Sequence, residues 1–180
     1  MRRFCTAAAT LLLLAGCAAP GFLLPAAEAE FELAGRIAVR YRDDAGSGNI
    51  AWRHGARFDE ILLTTPFGQG IARLTRRDDE IILATQDGRE FRAADAESLT
   101  EQVLGFRLPL VGLADWVRGR AASRPAAEPV RERRDGAGRL TELEQSGWRV
   151  SYLEYGSARP SRMTLAFPGL ELRLAISEWK

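Results

Sequence analysis

The chain has 180 residues, 46% of them hydrophobic and 27% charged, with 25 basic side chains against 24 acidic ones. A balance this even leaves no concentrated basic face of the kind nucleic-acid ligands need, so no nucleic-acid partner is expected. Length alone calls for one domain that buries about two thirds of its unfolded-chain surface, with no second domain required.

The N-terminus carries the first signal. Arg2 and Arg3 precede an apolar run at 7–14 that ends in Leu14-Ala15-Gly16-Cys17. The run is about eight residues where a bilayer span needs ~20, so it is no transmembrane helix. A positive start, a short apolar stretch and small residues before a cysteine predict a lipoprotein leader over 1–16. Cleavage leaves Cys17 as the new N-terminus, acylated on its thiol and its amine. Acyl chains contribute ~0.8 kcal/mol per buried methylene, so a triacylated cysteine holds the domain at a membrane surface. Removing 16 of 180 residues leaves 164, and with Arg2 and Arg3 gone the basic count falls from 25 to 23. Cys5 leaves with the leader, so no disulfide is available and the core alone must stabilise the fold.

Residues 17–30 are rich in Ala and Pro, show no period and read as a tether; 31–180 form the domain. From Phe31 the alternation has period two, Arg36, Arg40 and Arg42 interleaving with Ile37, Val39 and Tyr41. Gly46-Ser47-Gly48 reads as the turn after this strand. Ile50 and Trp52 continue an apolar face, a third strand covers 58–65, and a fourth covers 71–75 after Pro66-Phe67-Gly68. Strands at 81–85 and 90–92 flank Asp87-Gly88, a hairpin signal. Asp95 is an N-cap for a helix whose Leu99, Val103 and Leu104 recur at helical spacing and which Gly105 stops. A second short helix is expected at 110–118 and a loop at 121–129. Strands return at 130–134 and 139–144, then at Trp148-Val150-Tyr152, Met163-Leu165-Phe167 and Leu170-Leu172-Leu174-Ile176. Meander, helical insert, meander predicts a mainly β fold. Closing or curling the sheet, with the helices across the opening, removes its apolar face from water.

No catalytic constellation emerges. His54, the single histidine, sits in Arg53-His54-Gly55 and reads as a surface-turn residue. Gly68-x-Gly70 is followed by Arg73 where a dinucleotide motif needs glycine, and no nucleophile motif is present. Asp43-Asp44 and Asp78-Asp79 read as solvated turn residues, and with one histidine and no mature thiol a transition-metal site is not expected. No cofactor is expected either. Pro66-Phe67-Gly68 sets a large aromatic between turn formers, with two readings. Phe67 folds back into the core, or it stands exposed as a membrane-inserting tip, because Ile61, Leu62 and Leu63 already serve the preceding strand and the loop offers little cover.

Taken together these segments resemble the LolB family, the outer-membrane lipoprotein receptors of the bacterial lipoprotein-sorting pathway. The resemblance rests on the Leu-Ala-Gly-Cys lipobox, Gly35-Arg36-Ile37-Ala38-Val39, and Leu62-Leu63-Thr64-Thr65-Pro66-Phe67-Gly68. It continues with Leu108-Pro109 before Leu113-x-x-Trp116-x-x-Gly119, Gly147-Trp148-x-Val150-x-Tyr152, and Leu172-x-Leu174-x-Ile176-x-x-Trp179. It implies an unclosed antiparallel β-barrel with a short helical lid over a hydrophobic cavity. It also implies a monomer that takes triacylated lipoproteins from a LolA-like periplasmic carrier and places them in the inner leaflet of the outer membrane without nucleotide. The family's protruding loop carries an apolar residue, usually leucine, needed for membrane targeting of the cargo, and Phe67 matches that position. Ala18, where enterobacterial lipoproteins retained in the inner membrane carry aspartate, implies export to the outer membrane. Candidates for the acyl cavity are Ile37, Val39, Trp52, Leu172 and Leu174 on the strands, with Leu99 and Trp116 on the lid; alternation alone does not say which sheet face lines it. The alternative is an anchored scaffold lipoprotein of an envelope assembly machine.

Overall fold

The computed structural model describes residues 29–123 and 130–180; Cys17, the leader, the tether up to residue 28 and most of the 121–129 loop lie outside them. Eleven strands form one antiparallel sheet. The first meander supplies β1 (Phe31–Tyr41), β2 (Asp44–Gly55), β3 (Phe58–Thr64), β4 (Gly70–Arg77), β5 (Glu80–Thr85) and β6 (Glu90–Ala93). Helices α1 (Ala96–Leu104) and α2 (Leu110–Trp116) follow, then β7 (Arg131–Arg134), β8 (Leu140–Gln145), β9 (Trp148–Tyr155), β10 (Pro160–Phe167) and β11 (Leu170–Trp179).

Spatial order is β6-β5-β4-β3-β2-β1-β11-β10-β9-β8-β7, so the first and last strands pair in the middle and the sheet remains open between β6 and β7. That order dictates where the helices go. The chain leaves one edge at β6 and must reach the opposite edge at β7, so its helical segment crosses the apolar face of the sheet.

The turn before β2 differs from the sequence expectation. Gly46, Ser47 and Gly48 lie inside β2, paired with Val39, Ala38 and Ile37. The reversal is at Arg42-Asp43, with Arg42 in the left-handed region (φ 55). Gly48 serves close approach and not a turn: a Cβ there would stand 2.3 Å from the Thr64 carbonyl oxygen.

The remaining punctuation follows its chemistry. Asp95 caps α1 by accepting the Ser98 N–H at 2.7 Å, and Gly105 ends the helix at φ 79. Apolar residues of alternating strands and of both helices merge into one buried cluster that includes Phe31, Trp52, Leu99, Trp116, Val150 and Met163.

Candidate functional site

Register decides which face is inner. Ile37 stands opposite Leu174 and Val39 opposite Leu172, while Leu33 stands opposite Trp52. All five strand candidates therefore point to the side on which the helices lie. Leu99 (0% exposed) and Trp116 (1%) descend onto them from α1 and α2. Trp52, Leu99, Trp116, Leu172 and Leu174 belong to one buried apolar cluster, and the partly buried Ile37 and Val39 pack against it. Of the three cavities described, Trp52, Leu99, Trp116 and Leu172 border none, and Ile37 and Leu174 border one that opens among outward-facing side chains. Leu99, Leu113 and Trp116 of the helical segment are buried between the helices and the sheet.

The two helices are held differently. Trp116 Nε1 donates to Gln145 Oε1 at 2.9 Å, and Gln145 also accepts from Ala122 N and donates to Ala122 O, both at 2.8 Å. The Tyr152 hydroxyl, whose pKa burial pushes well above the usual tyrosine range, donates to Trp116 O at 2.9 Å. These bonds clamp α2 on β8 and β9. At the α1 end the tie to the sheet is the Tyr41 hydroxyl donating to Gly105 O at 2.7 Å, beside a Tyr41–Phe106 ring contact. The Ser98 N–H, followed by the Ser98 hydroxyl, holds the Asp95 carboxyl below its usual range.

His54 is not a turn residue. It lies within β2 opposite Phe31, 9% exposed, its Nδ1 2.6 Å from Asp59 Oδ1. Asp59 also accepts from Trp52 Nε1 at 2.9 Å and from Arg76 Nε at 2.6 Å, so its buried charge is compensated on three sides. The sequence carries a trace of these nodes: His54, Asp59 and Gln145 are polar residues on the inward phase of strands whose other inward residues are apolar. Among the described residues, no three or more His, Cys, Asp or Glu side chains converge as metal ligands would.

Phe67 does not fold back into the core: it is 94% exposed, at the tip of the loop between β3 and β4. Gly68 N donates to Thr65 O at 2.9 Å, with Pro66 second in the turn and Gly68 at φ 87. Thr65 N donates to Gln69 O at 2.7 Å, and Asn49 Nδ2 of β2 donates to Thr65 O at 3.0 Å. The tip is a braced turn that holds an aromatic ring in solvent.

Residues 29–179 match the family model described as "Outer membrane lipoprotein LolB". The chain belongs to the LolB family. Among similar proteins named "Outer-membrane lipoprotein LolB", that of Thiobacillus denitrificans is 36% identical over 100% of this chain and 98% of its own length. That of Azoarcus sp. is 38% identical over 99% and 96%. A solved LolA superfamily protein from Nitrosomonas europaea shares the fold, with a TM-score of 0.51 at 11% identity over 85% of this chain and 86% of that one. LolB membership and this shared fold support a lipoprotein-localisation role.

Proposed function

We propose that this protein is a receptor, anchored through Cys17 on the periplasmic face of the outer membrane, that accepts triacylated lipoproteins from a LolA-like carrier and delivers them to the inner leaflet. The observation that carries the reading is the continuous apolar inner face, roofed by two short helices. Each acyl methylene kept from water is worth ~0.8 kcal/mol, so cargo tails need such cover in transit. The same face takes tails of any sequence context, because it offers apolar surface and few polar partners.

Tails pass between the helices and the sheet, where Leu99, Leu113 and Trp116 are buried, and the cover lifts to admit them. α1 is the half that lifts, because α2 is clamped by Gln145 and Tyr152 while α1 depends on apolar packing and the Tyr41 bond. Phe67 then serves delivery by entering the bilayer ahead of the cargo. Transfer of a labelled lipoprotein from purified carrier to this protein, then to liposomes, tests the reading: both steps are expected. Failure to take cargo from the carrier, with no acyl chains recovered by organic extraction, would leave the scaffold role instead.

A further inference from the structure

The outward face of the sheet carries a feature that the receptor reading does not use. Register places Arg162, Ala175, Arg36, Asn49 and Thr64 in one transverse row across β10, β11, β1, β2 and β3. One step along, Arg173 stands opposite Ala38 and Ala38 opposite Ser47. Small side chains here leave two depressions, of about 770 and 300 Å³, which both include Arg36, Arg162, Asn49 and Ala175 in their lining.

Arg162 is paired with Glu154 at 2.5 Å and Arg173 with Glu171 at 2.7 Å. Arg36, by contrast, is exposed and forms no hydrogen bond or ion pair among the described residues. The row is also tied to the Phe67 loop. Asn49, next to Arg36, donates to Thr65 O; Pro66 borders the smaller depression and Gly68 the larger. An exposed apolar ring and an uncompensated guanidinium therefore share one braced body.

We propose that this outward depression seats the phosphate headgroup of an anionic bilayer phospholipid, with Arg36 as the principal contact and Arg173 and Arg162 beside it. The inference rests on the membrane-inserting reading of Phe67. With the ring in the acyl region, an adjacent guanidinium meets the phosphate layer, where planar paired donors match phosphate oxygens. The Phe67 end of the outward face then lies on the membrane.

The test is co-sedimentation of the Cys17→Ala chain, which lacks the acyl anchor, with phosphatidylcholine vesicles and with vesicles containing 30% phosphatidylglycerol. The unsubstituted face is expected to bind the anionic vesicles more tightly, and the difference to fall with added salt. Arg36→Gln is expected to lower binding to anionic vesicles about five-fold and to leave binding to phosphatidylcholine unchanged. Phe67→Glu is expected to weaken binding to both. Equal binding of Arg36→Gln and its parent to anionic vesicles, with both variants folded by circular dichroism, overturns the headgroup seat. So does loss of uptake from the carrier without loss of vesicle binding, which would assign the face to the carrier. Unchanged binding of Phe67→Glu would instead count against the insertion reading beneath it.

Discussion

At the scale of single residues, exposure separates two kinds of change. Phe67 packs on nothing that a substitution would expose, so Phe67→Glu should shift stability by no more than about 0.5 kcal/mol while delivery to liposomes fails. Phe67→Leu should deliver normally. A thermal melt and the transfer assay check both, and a stable Glu variant that delivers at the parent rate would sink the insertion role. Asp59 is the opposite case. It is 1% exposed and holds Trp52, His54 and Arg76, so Asp59→Ala strands a partly buried guanidinium and should cost about 3–5 kcal/mol by denaturant titration. Sequence alone did not disclose this cluster. Arg53-His54-Gly55 has the look of a turn, and only the long-range pairing of His54 with Phe31 puts the ring inside.

Among elements, α1 and α2 should behave as unequal halves of one cover. Backbone amides of α1 are expected to exchange faster than those of α2, and Tyr41→Phe, which removes the bond to Gly105 O, should raise exchange in α1 alone. Leu99→Trp forces a larger ring into a fully buried position, costs about 1–3 kcal/mol, and should weaken cargo acceptance without affecting anchoring. The cap adds a pH dependence of defined sign. Because the Asp95 carboxyl titrates below its ordinary 3.8 when folded, its contribution is present above about pH 4 and lost as pH falls through the folded value. The Ser98 amide should therefore lose protection on acidification, and Asp95→Asn, a cap without charge, should abolish that dependence. These helix ends were legible because capping is local, Asp95 and Gly105 acting within a few residues. The start of β2 was not: two glycines four residues past the true reversal look like a turn, while Gly48 is there to let the Thr64 carbonyl approach.

For the whole molecule, the receptor reading puts anchor and cargo face on separate parts of the chain. Cys17→Ala should release the domain from the membrane yet leave uptake from the carrier intact, because the anchor sets location and local concentration while the inner face binds. Loss of uptake in that variant, with its circular dichroism unchanged, would contradict the separation. The antiparallel architecture was readable from alternation and turns, since both are local. How closely the helices sit on the sheet was not, because that depends on how far Leu99 and Trp116 descend from a segment whose path is fixed only by the order of strands.

That path has a mechanical consequence. A chain that leaves one edge of a curved sheet and returns at the other is a string drawn across a bow, here strung from β6 to β7. The pairing of β1 with β11 joins the two meanders at mid-bow and leaves a limb on either side. On the receptor proposal, slackening the string at α1 is expected to let the limbs spread as well, so that the girth of the receptacle follows the bulk of its cargo. One such sheet would accommodate tails of different length and saturation without a pocket cut to any of them.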